Sequence, residues 1–446
     1  MAAVSSSVPP TPLGGVRVLD LSKVLAGPLC TQYMADMGAD VIKVEAAGQG
    51  DDTRGWPPFQ DGQAAVFLSC NRNKRSIALD LKSAHGRAVV QRLAAWADVV
   101  VHSFGPGVAQ KLGVDWEALS EINPRLVYCA ISGFGPVGSL SHGKGFDVVL
   151  QAFCGMISIT GETEGGAVRS PFSPVDQATG LHALIGILAA LRQRDASGRG
   201  VTVDASLFDT ALGFMGYFMQ GYWARGTEPA RAGAGHESLC PYQDFATADK
   251  PIILGIANDA LWRAFWPCGT EPARAGAGHE SLCPYQDFAT ADKPIILGIA
   301  NDALWRAFCA LAERPELASD PRFATNAQRV ANRAQTLAAT RALLAARTRG
   351  EWLPALEQAG IPCSPIHTLV EVDAHPHTRE SGMVFDYPET GTDAGPLKGV
   401  AQPVRFDGMR LTTPKRPPSL NQDWASVLAD AGYSDPEVRD LLQQMA

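Results

Sequence analysis

This chain contains a verbatim repeat. Residues 226–265 read GTEPARAGAGHESLCPYQDFATADKPIILGIANDALWRAF, and residues 269–308 read the same letter for letter, with Trp266-Pro267-Cys268 between them. Identical sequences carry identical local preferences, so both copies encode one supersecondary unit: a β-rich run, PIILGIA, then a helix-forming NDALWRAF. The offset of 43 residues is in the range of helical solenoids and propeller blades, but those need at least three units. Two copies without drift read instead as a recent tandem duplication or a sequence-assembly error. One copy is then redundant, because a small sheet has one slot for such a unit. The second copy fits that slot better. Phe308 runs on into Cys309-Ala310-Leu311-Ala312, which are good helix formers, whereas Pro267 stops the helix soon after Phe265. The first copy is expected to bulge outward and expose Trp262 and Trp266.

Upstream, strand and helix signals alternate. Val16–Ser22, Val41–Glu45, Ser76–Leu81, Asp98–Phe104 and Leu126–Ser132 are short apolar runs. Between them lie a helix opened by Gly27-Pro28 with Leu29, Tyr33, Met34 and Met37 on one face, and another with Val89, Val90, Leu93 and Trp96 inward. This alternation predicts an α/β fold with a Rossmann-like, doubly wound parallel sheet. No G-x-G-x-x-G follows the first strand, so the dinucleotide fingerprint is absent. Residues 177–194 are apolar nearly all round and predict a buried central helix. The expected division is a flexible lead at 1–14, a large domain at 15–207 and a linker helix at 208–225. A smaller α+β domain follows at 226–350, and a C-terminal part at 351–446 returns to the large domain.

Composition narrows the function. The net charge is −8 and the pI about 5.6, unlike the basic balance of nucleic-acid binders. With 46% hydrophobic and 19% charged residues, the chain is no disordered or fibrous protein. The most apolar stretch, Leu181–Leu191, is too short to span a bilayer, so no membrane partner is expected. Nine cysteines without a C-x-x-C pair suit reduced thiols. The start, MAAVSSSVPPTPLGG, lacks the basic, apolar pattern of a signal peptide. Both point to the cytoplasm. His375 and His377 have no third ligand in reach by spacing and read as a surface turn, so no metal site is expected.

Several short motifs occur in order: Ala26-Gly27-Pro28, the run Ala35–Glu45 (ADMGADVIKVE), Asn71–Ser76 (NRNKRS), Asn123–Tyr128 (NPRLVY), Ser132-Gly133-Phe134-Gly135 and Gly145-Phe146-Asp147. Asp176 with Thr179-Gly180 follows, then Gly198-Arg199-Gly200, Gly360–Cys363 (GIPC) and His375-Pro376-His377. Taken together, from about Gly15 to the C-terminus, the chain resembles the class III CoA-transferases, the superfamily of formyl-CoA transferase, carnitine CoA-transferase and α-methylacyl-CoA racemase. The resemblance implies an interlocked homodimer and transfer of CoA from an acyl-CoA thioester to a small free carboxylic acid. CoA is then a substrate, and no permanently bound cofactor is implied.

By its residues alone, Asp176 is an acidic residue at a helix start, an ordinary cap. The resemblance instead places the family's aspartate nucleophile on it. The helix N-terminus is then expected to keep Asp176 ionised and to offer N–H groups to an oxyanion. The residues implied to contact CoA are Leu25, Ala26, Arg72, Asn73, Lys74, Arg75, Phe104, Lys111 and Lys144. A family arginine after the VIKVE glutamate is Ala46 here, with Arg54 or Arg72 as its expected substitute. The racemases carry a histidine where this chain has Phe146, which cannot move a proton. That leaves the isomerase, and a CoA-ester-binding protein inactivated by the duplication, as alternatives to a transferase. GAGHESLCPY resembles the loop of dicarboxylate-using members, which points to a donor such as succinyl-CoA.

Overall fold

The structure, a computed structural model, describes residues 11–162, 165–231, 233, 242–247, 252–255, 285–290, 295–299, 302–359, 361, 363–387, 397–411 and 415–439. The chain divides into two compact units: Met1–Cys154 with Pro171–Gly216 and Asp373–Ala446, and Gly155–Ser170 with Tyr217–Val372.

The first unit is built on a six-stranded parallel sheet. Its strands are β1 (Arg17–Leu21), β2 (Asp40–Ala46), β3 (Lys74–Leu79), β4 (Val99–His102), β5 (Val127–Ser132) and β6 (Val201–Ser206). The spatial order is 3-2-1-4-5-6, the doubly wound order, with a switch point between β1 and β4. Strands covered on both faces must be apolar throughout; Val18, Leu19, Ile42, Val99, Val100 and Val101 are accordingly buried. Helix α1 (Ala26–Asp36) follows β1. Helix α2 (Ala84–Trp96) buries Val89, Val90 and Leu93, and Ser83 caps it by accepting the Gly86 N–H. Helix α3 (Trp116–Ile122) is capped likewise by Asp115, and α4 (Asp147–Phe153) follows β5.

Three expectations change. The lead is part of the fold by residue 13, since Leu13 is buried and its N–H donates to the Met37 carbonyl at 2.9 Å. The apolar helix, α5, is longer than expected, Pro174–Ser197. By length and composition it could cross a membrane. It is also not buried all round: Val175, Ala183, Ile187 and Leu191 face inward, while Leu181 is exposed and Ile185 is 63% exposed. The expected linker helix is two helices, α6 (Leu207–Phe214) and α7 (Gly216–Arg225). They break at Met215, between Gly213 and Gly216, both poor helix formers.

In the second unit a closed barrel joins β7 (Tyr242–Thr247), β8 (Ile252–Gly255), β9 (Tyr285–Ala289), β10 (Ile295–Gly298) and β11 (Cys363–Pro365) in the order 8-11-10-9-7. Both repeat copies contribute. Each folds into a hairpin of the same register, Tyr242 opposite Gly255 and Tyr285 opposite Gly298, as identical sequences require. The hairpins meet through parallel pairing of β7 with β9 and through β11, which pairs with both β8 and β10. The sheet therefore takes up two units, where one was expected. Residues 351–372 also stay in this unit, because β11 is hydrogen-bonded into the barrel and the helix Arg349–Gln358 buries Trp352 and Leu356 in its core. The second copy's helix, α8 (Asp302–Leu311), places Leu304, Trp305 and Phe308 in that core. The first copy's helix, with Trp262 and Trp266, lies outside the described residues.

Candidate active site

Close backbone crossings assemble the start of α5. A Cβ on Gly133, just past β5, would lie 2.3 Å from the Gly145 nitrogen, and one on Gly145 would lie 2.3 Å from Gly133 Cα. Only glycine permits that crossing, and it delivers Asp147 at the head of α4. A Cβ on Gly180 would lie 2.4 Å from the Ala26 carbonyl, and one on Gly27 would lie 2.3 Å from Ser22. Gly180 thus brings α5 against the start of α1, and Gly27 lets α1 fold back over Ser22. Asp176 is four residues before Gly180, one helical turn farther along the same face.

Asp147 Oδ2 accepts the N–H groups of Val175 and Asp176 at 2.9 and 3.1 Å. Asp147 is thus a cap supplied from another helix, since the residue preceding α5, Ser173, makes no side-chain cap bond. The cap overturns two expectations. The first-turn amides assigned to an oxyanion are taken: two by Asp147, and that of Gln177 by the Ser173 carbonyl at 3.2 Å. Nor is Asp176 held low. Burial first, and the adjacent Asp147 second, push its carboxyl up to about 7. Proximity to the helix terminus does not offset a shared site with another carboxylate.

Asp147→Asn removes the second of these causes. The acid limb of kcat/KM against pH, which reports the free enzyme's essential base, is expected to move down by about half a pH unit or more. An unmoved limb would show that Asp147 does not govern Asp176.

At the carboxyl edge of the sheet, near the switch point, lies a cavity of about 480 Å³. Ligands of open α/β sheets bind at this edge. Leu21–Lys23 at the end of β1, Ala46 and Ala47 at the end of β2, Gly50–Asp52, Leu79–Lys82 at the end of β3, and Phe104 form its walls. Phe104 stacks on His102 with ring centroids 5.2 Å apart. Sequence reading singled out Phe104 but missed Lys23 and Lys82. Their signal is position: each falls one to three residues past the end of a parallel strand.

The loop expected to grip phosphates is turned inward. Arg72, 3% exposed, donates twice to Asp36 at 2.9 and 2.6 Å and once to the Val400 carbonyl at 2.8 Å. Asn73 also donates to Asp36. Lys74 is buried on Asp20, Asn71 and the Pro28 carbonyl at 2.9–3.0 Å. Arg75 bridges Asp40 and Asp430. Arg54 is bidentate to Glu45 at 2.7 Å with its guanidinium over the Phe67 ring, so both expected substitutes for the arginine missing at Ala46 have internal partners. Leu25 caps α1 without a side-chain bond, and Ala26 is buried against α5. Lys111 sits in the last turn of the short helix Val108–Leu112, and Lys144 is exposed beside the Gly133–Gly145 crossing. Residues 234–241 and 276–284 of the duplicated GAGHESLCPY loops lie outside the described residues.

The family model described as CoA-transferase family III matches residues 13–269 and 266–424. The chain belongs to that family. It is a CoA-transferase. It is 34% identical over 435 residues to the succinyl-CoA:glutarate CoA-transferase of Mus musculus, covering 97% of this chain and 89% of that one. It is 33% identical over 442 residues to the acetyl-CoA:oxalate CoA-transferase of Acetobacter aceti, covering 98% and 100%. Among solved structures, a CAIB/BAIF family protein from Brucella suis is similar at a TM-score of 0.79 and 34% identity, covering 94% of this chain and 99% of that one. As in these family III relatives, the match runs nearly the whole length of the CoA-transferase chain.

Proposed function

We propose that this family III CoA-transferase moves CoA from a dicarboxylyl-CoA donor such as succinyl-CoA to a small free dicarboxylic acid, with Asp176 as the covalent nucleophile. The carrying observation is Asp176 itself. It is a part-buried carboxylate at the head of α5, joined by the Ser22–Ala26 segment to a cavity at the sheet's carboxyl edge. The nucleotide end of CoA would lie in that cavity with Lys23 and Lys82 near its phosphates, and the thioester would reach Asp176 past Leu25 and Ala26. Lys111 and Lys144 remain proposed contacts of the CoA chain.

The ionised Asp176 attacks the thioester carbonyl, forming a mixed anhydride and expelling CoA thiolate. The thiolate attacks the aspartyl carbonyl, leaving aspartyl-CoA thioester and the first acid. The acceptor carboxylate attacks that thioester, giving a new anhydride and thiolate. The thiolate then takes the new acyl group and frees Asp176. Splitting one difficult exchange into anhydride and thioester steps is the advantage of covalent catalysis. A carboxyl near pH 7 is poised for this role, ionised enough to attack and basic enough to be a good nucleophile.

The acyl preference is drawn from the relatives named for succinyl-CoA and dicarboxylic acids. Succinyl-CoA with glutarate, oxalate and mesaconate as acceptors tests it, read as formation of the new CoA ester; no product from any pair would sink it. A second measurement separates the isomerase. Phe146, at the head of α4, offers no proton-transferring group, so deuterated water is expected to leave the α-carbon of a 2-methylacyl-CoA unlabelled. Rapid labelling would favour racemisation.

The assembly we propose is a homodimer. Phe146, Phe153, Phe172, Ile185 and Phe214 are exposed in the single chain, more large apolar side chains than a monomer's surface usually presents. The mass in solution by light scattering checks this. A cytoplasmic setting is proposed from the cysteines: Cys30, Cys70, Cys129, Cys154, Cys309 and Cys363 are all free thiols, four of them buried.

A further inference from the structure

Val24 stands in the left-handed region, φ 70°, where a β-branched residue is strained. Such strain persists only where the surroundings over-determine it, and it clusters at functional sites. The surroundings of Val24 do so from several elements. The Ser22 N–H donates to Asp20 Oδ1 at 2.9 Å, and Lys43 Nζ donates to the Ser22 carbonyl at 2.9 Å. The Lys23 N–H donates to Ser103 Oγ at 3.0 Å. Cys70 Sγ donates to the Val24 carbonyl at 3.6 Å. The Val24 N–H is shared between both carboxylate oxygens of Asp51 at 3.3 Å each.

Asp51 is itself held from beneath. It pairs with Lys43 Nζ at 2.9 Å, and both side chains are out of solvent. Its N–H donates to Glu45 Oε2 at 3.0 Å, and its carboxylate accepts from the Thr53 N–H and hydroxyl. Burial drives the Asp51 carboxyl upward, but Lys43 and the Thr53 amide outweigh it and hold the group below the ordinary range. Residues 21–23 and 50–52 are two walls of the 480 Å³ cavity. The Asp51–Val24 contact ties these walls together, at the residue that turns the chain toward Leu25 and Ala26.

We propose that Asp51, backed by Lys43, is a positioning residue for CoA: by gripping the N–H of left-handed Val24 it sets the cavity walls and the start of α1 beside the helix of Asp176. This rests on the reading of the cavity as the nucleotide end of the CoA site. Asp51 acts through Val24, and the test follows that route.

Asp51→Asn keeps the size of the side chain but removes its charge, leaving Lys43 only the charges of Asp20 and Glu45. The dissociation constant for CoA by titration calorimetry, and KM for succinyl-CoA, are expected to rise about tenfold or more, with kcat within about threefold. Adding Val24→Gly lets the turn form at no steric cost, so the double variant is expected to recover most of the lost CoA affinity. An ion pair with only a structural role would shift the melting temperature and give no such recovery. Unchanged CoA affinity in Asp51→Asn, or no recovery in the double variant, overturns the proposal. If Asp51→Asn does not fold, the double variant decides. Folded protein with near-wild-type CoA affinity supports the proposal, and an unfolded double variant overturns it. Wild-type protein that binds no CoA would sink the CoA reading of the cavity instead.

Discussion

Asp176→Asn is expected to lose CoA transfer by at least about 1,000-fold and to gain stability at the same time. The substitution is nearly isosteric. The cap survives, because Asp147 grips the backbone N–H groups of residues 175 and 176 and not the Asp176 side chain. The neutral amide cannot form the anhydride, so wild type incubated with succinyl-CoA should carry a CoA-sized mass on the peptide containing residue 176, and the variant should not. The stability effect has a definite sign. The folded carboxyl lies at about 7 against an ordinary 3.8. The native state therefore holds its proton more tightly than the unfolded chain does. That contribution is present below about pH 3.8 and is lost as pH rises through about 7. Above pH 7 the wild type keeps a carboxylate that the site disfavours, and asparagine removes the penalty. The variant's advantage in urea unfolding should be near zero at pH 4 and on the order of 2 kcal/mol at pH 8, after allowing for partial exposure. Retained turnover would remove Asp176 as nucleophile. A variant no more stable at pH 8 would show that the carboxyl titrates low after all.

Trp305→Ala should cost about 3–5 kcal/mol of stability, and the identical substitution at Trp262 should cost no more than about 0.5 kcal/mol. The two tryptophans occupy the same place in two identical copies, so sequence-local propensity predicts equal effects. Trp305 is fully buried. It packs against Phe308 and Phe323, and its ring N–H donates to the Leu317 carbonyl at 3.1 Å. Truncation leaves both a cavity and an unmet carbonyl. Trp262 was expected at the surface because Trp266-Pro267 ends the first copy's helix early. Paired denaturation curves measure the difference. Equal losses would mean that the first copy packs a helix as tightly as the second, and that the duplication has been fully absorbed into the fold.

The repeat shows the limit of local reading most clearly. Both copies were legible as strand followed by helix, and the two hairpins share one register because register is set by local pattern and turn. How many hairpins the barrel accepts was not legible. It depends on β11, more than fifty residues beyond the second copy, having two edges and pairing with β8 on one and β10 on the other.

The phosphate loop shows the same limit in charge. Arg72, Lys74 and Arg75 were visible as a cationic cluster, and a cluster before a strand is what a phosphate site looks like. Their partners are Asp36, Asp20, and Asp40 with Asp430. Those carboxylates come from α1, β1, β2 and the C-terminal segment, and only folding brings them within 3 Å. Lys23 and Lys82, unremarkable in sequence, come to line the cavity because β1 and β3 end on the same edge of the sheet.

Legible in the order of residues were the alternation of buried strands and helices, the parallel sheet they imply, the position of Asp176 at a helix start, and membership in a CoA-transferase family. These follow from periodicity, turn chemistry and ordered motifs, which act over a few residues at a time. Tertiary structure alone decided the rest: that the cap of α5 is Asp147, that this carboxylate helps lift Asp176 to about 7, and that Asp51 holds Val24 in a left-handed turn. Each depends on two charged or polar groups far apart in the chain becoming neighbours in a medium where water no longer screens them. Such energies follow distance and burial, which the order of residues does not contain.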